Sequence, residues 1–499
     1  MSYIGLDVGT SSCKASVIDE RIMRASARRT YPLLREKPGW AELDPSRVWQ
    51  AILEVLAEIA PSARDAVAMS VSSLGESFVL LDERDRPLAG SMTYLDERGE
   101  EELQAISRAV EPRLLHAMTG AQLSAMYSLP KLLWLRRNRP EALLQAKKLL
   151  LYVDYAGYLL TGERAIDPSL ASRTMLMDAR ALDWSDALLD AFRFPRDLLS
   201  PVRRAGSPLG TILKELARAL KLPENLILYT GCHDQCAAAL GAGVFAEGGL
   251  MAGEGSSESL LILAGRNGID SSMDYLVDHS IGFEPFLTPD LYAVILGQPA
   301  YGTCFHWFSE QFANGKPPTE LDDCCAEDAG QAFFLPYLAP NPMQPNCAAR
   351  GAFLGITSGT TRAQMYRALH EGLCLETQVN CDLMPGLGVT PSRLVATGGC
   401  SRSGLHMQIK ADVMGLRIDT VDTGDAGIAG LAMLSAVASG AFPDYSECAK
   451  AMVRRGATFL PKRDYNEMLS RYRRMRSAVQ ALYTGHPTQA LDTCDQLLS

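Results

Sequence analysis

The chain has 499 residues, more than one ordinary domain needs and enough for two of roughly 250 residues each. Hydrophobic residues make up 47% and charged residues 21%, so large cores can form, while a net charge of −10 argues against a nucleic-acid partner, whose backbone demands a basic face. Glycines and charges interrupt every apolar stretch before it could span a membrane, and the twelve cysteines lack paired zinc-site spacing; a cytoplasmic protein without a signal peptide, with reduced thiols and no zinc, is expected.

Residues 3–8 read as a buried strand carrying Asp7, and residues 14–18 resume the strand pattern after Gly9, Thr10, Ser11 and Ser12. This is a β-hairpin whose turn, with Lys14 just beyond it, offers N–H groups and hydroxyls suited to phosphate oxygens or a metal's water shell. Asp7 beside it would repel a bare anion but fits with Mg²⁺ in between; the other reading is that Asp7 and the hydroxyls only cap the turn. A helix over 45–59 starts at the Asp44-Pro45 pair. Strands follow at 66–71 and 77–82, then helices at 130–137, 141–146 and 153–160.

A short strand at 225–230 runs into Gly231, Cys232, His233 and Asp234, then into an alanine-rich helix over 235–240. A carboxylate at a helix head is held rigidly, as a general base for a hydroxyl must be, and is equally an ordinary N-cap. His233 is a rival base, but its neighbouring position aims it elsewhere, into support of the site from behind or into loop packing. From Leu250 the sequence LMAGEGSSESLLILAG echoes the opening: strand, Gly255-Ser256-Ser257 turn, strand. Later come a strand within 333–338, a Pro/Asn-rich loop at 340–346, and an amphipathic helix over 359–372 ending at glycine. A strand at 394–397 leads into the turn with Gly398, Gly399, Ser401 and Ser403. Helices follow at 404–414, at 424–439 (small residues that need close packing) and at 465–483. The last has a stripe of Leu469, Tyr472, Met475, Val479 and Leu482, suited to core or a dimer surface. Residues 486–499 look like an appendage. There is no P-loop and no dinucleotide fingerprint, so any nucleotide is held by another architecture.

Singly these signals are weak, but from Tyr3 to about Ser439 their order resembles the FGGY carbohydrate kinases, part of the actin-like, hexokinase-like ATPases. The resemblance implies an α/β fold of two actin-like (ribonuclease H-like) domains flanking an ATP/sugar cleft: 1–246 on the sugar and phosphate side, 247–440 on the adenosine side, and 441–499 as a helical extension packed on the second domain. It implies ATP and Mg²⁺ as cofactors, with Asp7 associated with the metal. Gly9, Thr10, Ser11, Ser12 and Lys14 would take phosphate, Gly255, Ser256 and Ser257 would form a second phosphate loop, and Gly398, Gly399, Ser401 and Ser403 would take adenosine, with the 424–438 helix near the adenine. Asp234, in the family's glycine-x-x-aspartate motif, would be the catalytic base and contact the substrate.

GWAELDPSRVWQ matches a family stretch, and Tyr94 stands for a usual tryptophan with Asp96 and Arg98 retained. Asp96 and Arg98 either hold sugar hydroxyls or pair with each other; Glu76 either contacts the sugar or is a solvated turn carboxylate. Leu74-Gly75-Glu76 departs from xylulose-type and glycerol-type patterns alike, and Ala339-Pro340-Asn341 replaces the usual glycine-glutamate-arginine, so the subfamily is not assigned. The acceptor implied is a small ketose or polyol, and a homodimer is expected. Two alternatives remain: a catalytically poor relative acting as a sugar or nucleotide sensor or scaffold, and another actin-like ATPase, against which the GWAELDPSRVWQ stretch and the Asp96/Arg98 pair count.

Overall fold

Strands β1 (Ser2–Val8) and β2 (Ser12–Ile18) form the expected antiparallel hairpin, with Asp7 opposite Lys14 in register. The structure, a computed structural model, describes residues 1–19, 22–339 and 349–484. The Pro/Asn-rich loop at 340–346 and the appendage at 486–499 lie outside the described residues.

By packing, the chain forms two compact units. The first comprises Met1–Glu247, Leu263–Val294 and Thr423–Arg454. Its sheet also holds β3 (Met23–Thr30), β4 (Ala66–Ser73), β5 (Pro208–Thr211) and β6 (Ile227–His233), in the order β5-β6-β4-β1-β2-β3. β1, β4 and β6 run parallel, and β5 is antiparallel to β6. Helix α1 (Pro45–Ile59) is capped by Asp44, whose Oδ1 accepts from the Ser46 N–H at 2.9 Å, and it buries Val48, Ile52, Val55, Leu56 and Ile59. Register puts Asp7 beside Ser72, and Ser72 beside Cys232, so the carboxyl ends of three parallel strands converge where β6 passes into helix α2 (Asp234–Gly241).

The small-residue helix Ala426–Ala438 belongs to this first unit, although it follows the 246/247 boundary read from sequence. A Cβ at Gly241 would collide with the Ala426 carbonyl, and one at Gly430 with the Ala237 carbonyl, so the two backbones touch as only glycine allows. That close approach, with further packing on β1 and β4, holds the helix here.

The second unit comprises Gly248–Ile262, Ile295–Asp422 and Arg455–Ser499. Strands β7 (Leu250–Glu254) and β8 (Glu258–Gly265) form the second hairpin. β7 runs parallel to β9 (Arg393–Gly398), β9 parallel to β10 (Arg417–Val421), and β10 antiparallel to β11 (Arg455–Phe459). This repeats the first unit's pattern of a hairpin, three parallel strands and an antiparallel edge. Each unit is thus an α/β body of the actin, ribonuclease H-like kind.

The helix expected over 359–372 is instead α3 (Arg362–Cys381), opened by a Thr361/Gln364 capping box. It runs through Gly372 because that glycine receives the Phe334 carbonyl, where a Cβ would collide, and does not end the helix. Leu469, Tyr472 and Val479 of the last helix, Asn466–Thr484, are buried against Cys374 and Leu375 of α3 and against Ile409 and Val413. Its stripe is therefore core of the second unit, although Leu482 is exposed. No disulfide joins the described cysteines, and no described helix is long and apolar enough to cross a membrane.

Candidate active site

The first unit gathers charge at the ends of β1, β4 and β6. Asp7 Oδ1 accepts from the Ser72 hydroxyl at 2.7 Å. Burial, then the neighbouring Asp234 carboxylate, push its pKa up to about 7, with Asp425 adding to the effect. Lys14, whose charge acts on Asp7, is held by Asp425, the N-cap of the Ala426–Ala438 helix, at 2.8 Å. Asp7 and Asp425 thus share one ammonium group, with the Asp234 carboxylate adding repulsion on Asp7.

In the adjoining turn Gly9 N–H donates to the Ser12 carbonyl at 2.9 Å, and the Tyr31 hydroxyl to the Gly9 carbonyl at 2.6 Å. The Ser12 hydroxyl accepts from Arg28 at 3.0 Å, Thr10 bonds the Tyr94 hydroxyl, and Ser11 is exposed. The turn is braced from behind.

Asp234 is the first residue of α2, and its side chain is 33% exposed. Its Oδ1 is buried and lacks a hydrogen-bond partner among the described residues, although His233 Nε2 lies 3.3 Å away. Burial raises its pKa and Glu76 adds to that, against His233, Arg173 and the Gln235 side chain. His233 Nδ1 bonds Glu284 Oε1 at 2.7 Å. Arg173 Nη1 donates to Glu284 Oε2 at 2.8 Å, and its Nε to Glu76 Oε1 at 2.7 Å. Glu76 is therefore a buried ion-pair partner and not a solvated turn carboxylate. Burial would raise the Glu284 pKa, but His233 and Arg173 outweigh it and bring it down to about 2.

Donor atoms of His233, Cys236 and Glu284 lie within 4.8 Å of one another, close enough to surround an ion. Arg173 on Glu284, and burial that pushes the Cys236 thiol well up, both oppose a cation there.

Asp96 and Arg98 pair with each other. Arg98 Nε donates to Asp96 Oδ1 at 2.8 Å and Nη2 to Oδ2 at 2.5 Å. Arg98 also meets Glu42 at 2.6 Å, and its guanidinium lies 3.8 Å from the Trp40 ring centre. Of the two readings of this pair, mutual pairing is the one these contacts carry.

The second unit holds a pocket of about 720 Å³ lined in part by Gly255, Ser256, Gly399, Ser403, Asp322 and His370. Gly398 has φ +96°, and a Cβ there would collide with Glu254, whereas nothing lies within 4 Å of a Cβ at Gly399. The Ser403 hydroxyl caps helix α4 (Gly404–Met414), accepting from the His406 N–H at 3.0 Å, and donates to Asp322 Oδ2 at 2.5 Å. Ser401 is half-buried and donates to the Gly398 carbonyl at 2.8 Å. Ser257 and Ser401 are not among the lining residues, and neither is the 424–438 helix expected near an adenine. Lys410 of α4 is fully buried; it pairs with Glu254 and, at 2.7 Å, with Glu258, clamping both strands at the Gly255–Ser257 turn.

Arg173, Glu284 and Lys410 went unnoticed in the sequence. Arg173 and Glu284 are isolated charges 111 residues apart. Lys410 carried a usable signal, a lone lysine in a helix whose Ile409, Ala411, Val413 and Met414 are all buried.

Models of the FGGY carbohydrate kinase family match the chain at residues 2–241 (N-terminal domain) and 276–439 (C-terminal domain). A xylulose kinase of Klebsiella pneumoniae is 30% identical over 423 residues, covering 84% of this chain and 86% of that protein. A glycerol kinase of Bordetella parapertussis is 29% identical over 434 residues, covering 83% and 84%. The crystal structure of xylulose kinase from Rhodospirillum rubrum superposes with a TM-score of 0.86 at 26% identity, covering 97% of this chain and 99% of that one. With two α/β units of one topology, a carboxylate cluster at converging strand ends and a glycine-lined pocket, these matches support an ATP-dependent carbohydrate or polyol kinase activity, and the chain belongs to the FGGY family of carbohydrate kinases.

Proposed function

We propose that this chain transfers the γ-phosphoryl group of ATP to a hydroxyl, primary by preference, of a small ketose or polyol, with Asp234 as general base. The observation that carries this is the Asp234 carboxylate: rigid at a helix head, one-third exposed, one oxygen unpaired, and its pKa raised. Raising a carboxylate's pKa strengthens it as a base toward an alcohol proton. The names of the related enzymes, xylulose kinase and glycerol kinase, support the ketose-or-polyol range.

The first unit is the proposed sugar and phosphate side. Glu76, fixed by Arg173, and Asp234 would face the acceptor's hydroxyls, while the Asp96–Arg98 pair stiffens the wall. The Gly9–Ser12 turn offers N–H groups and hydroxyls to phosphate oxygens. Asp7 is the proposed metal-side carboxylate. Hard oxygen donors and a carboxylate excess over Lys14 fit Mg²⁺, which when bound neutralises charge on the transferring phosphoryl group. In the second unit, Gly255 and Ser256 would hold phosphate, and the pocket beside Gly399 would hold adenosine. The clamp of Lys410 on Glu254 and Glu258 fixes that turn before any ligand arrives.

The test is a panel of three- to six-carbon ketoses and polyols, read by acceptor-dependent ADP release with Mg²⁺. At least one acceptor should raise ADP release well above the ATPase background. No response across the panel from protein that binds ATP would overturn the proposal.

A further inference from the structure

Five buried or half-buried charges form an alternating row in the first unit: Glu76, Arg173, Glu284, His233 and Asp234. Glu284 stands at the middle of the row, in the strand Phe283–Pro285, and its side chain is 4% exposed. Its two oxygens are divided: Oε2 accepts from Arg173 at 2.8 Å, and Oε1 meets His233 Nδ1 at 2.7 Å. The far nitrogen of that same imidazole, Nε2, lies 3.3 Å from Asp234 Oδ1. An imidazole ring is rigid, so fixing Nδ1 fixes where Nε2 points. We propose that Glu284 is a positioning residue for Asp234, acting through the His233 ring. This rests on the reading of Asp234 as the base.

The chemistry of each link supports it. His233, doubly protonated, donates to Glu284 through Nδ1 and presents its positive charge to Asp234 from 3.3 Å, and the backbone holds it as well, since its N–H donates to the Ser169 hydroxyl at 3.0 Å. Burial disfavours the charged ring, yet Glu284 and Asp234 outweigh it. Asp234 Oδ1 has no aligned hydrogen bond of its own and faces the His233 cation at 3.3 Å, while the Gln235 side chain also bonds the carboxylate. The one-third-exposed carboxylate remains open to a substrate hydroxyl. A carboxylate that must accept a proton from an incoming hydroxyl gains from being aimed in advance, because small misplacements of a catalytic group cost large factors in rate. Arg173 completes the arrangement: by bridging Glu284 to Glu76 it fixes Glu284 itself.

The experiment is a double-mutant cycle with Glu284→Gln and Asp234→Asn, with His233→Gln as a second route. The acceptor is whichever of xylulose, glycerol and the wider panel gives the highest ADP release. Glutamine keeps the size of Glu284 and a hydrogen bond to Arg173, and thermal unfolding and ADP affinity show that each variant is folded. Glu284→Gln is expected to lower kcat by about 10- to 100-fold, with KM for ATP unchanged. In the Asp234→Asn background the same change should cost nothing further, because the residue acts only through that carboxylate. In the acceptor-free protein, nitrogen-15 NMR should find the His233 ring doubly protonated, and Glu284→Gln should move it toward the neutral ring. Wild-type kcat in folded Glu284→Gln overturns the proposal, as does an equal loss in both backgrounds. So does stoichiometric zinc that His233→Gln removes. Wild-type kcat in Asp234→Asn alone would overturn the base assignment instead, which keeps the two failures apart.

Discussion

Replacing Asp7 by Asn should make the metal-free protein more stable while making the enzyme worse. Asp7 shares its surroundings with the carboxylates of Asp234 and Asp425, and Lys14 is held by Asp425. Its folded pKa is pushed from 3.8 up to about 7. A carboxyl whose pKa is raised on folding binds protons more tightly when folded, so stability falls as pH rises from the unfolded to the folded value. That window is pH 4 to 7. The full shift of about three units corresponds to about 4 kcal/mol above pH 7, an upper bound. Asn keeps the acceptor for Ser72 but has its own burial cost, so a net gain of about 1–3 kcal/mol is expected. For a unit of this size that is several degrees in Tm. The assay is thermal unfolding of both proteins from pH 4.5 to 8, in EDTA and again with Mg²⁺ and ADP. The variant's advantage should be small at pH 4.5, grow toward pH 7.5 and shrink when Mg²⁺ supplies the missing cation. A variant less stable than wild type at pH 7.5 in EDTA would refute the charge-repulsion argument.

Asp234→Asn should lower kcat by about 10²–10⁴-fold and leave ADP affinity, measured by calorimetry, unchanged; retention of more than about a third of wild-type kcat would remove Asp234 from the mechanism. Lys410→Met strands the buried Glu254 and Glu258 carboxylates and should cost about 3–5 kcal/mol in denaturant unfolding, with part of the loss recovered by adding Glu254→Gln. Gly399→Val meets open space, so stability should change by less than about 0.5 kcal/mol while ADP affinity in a fluorescence titration falls; unchanged affinity would separate Gly399 from nucleotide binding.

Local chemistry made much of this protein legible from its sequence. The Asp7 hairpin, the Asp44-Pro45 helix start, Asp234 at a helix head and the second hairpin at Leu250 depend on alternation, capping and turn preference within a few residues, and each appears as read. Elsewhere a long-range contact decided what local preference could not. Gly372 reads as a helix end, but the Phe334 carbonyl needs that glycine inside a longer helix. The helix at Ala426–Ala438 follows the second hairpin in sequence, but glycine-to-backbone contact with α2 draws it into the first unit. The Leu469–Val479 stripe has the period of any buried helix face, and only packing shows that its partner is the same unit's core. The candidate site divides in the same way. Asp7 and Asp234 stand beside telltale turns. The charges that tune and hold them, Arg173, Glu284 and Asp425, are single residues in unremarkable surroundings, and so is Lys410, which clamps Glu254 and Glu258 at the second turn. Pairing of buried charges is decided by Coulomb attraction across a few ångströms of space, and separation along the chain carries no record of it.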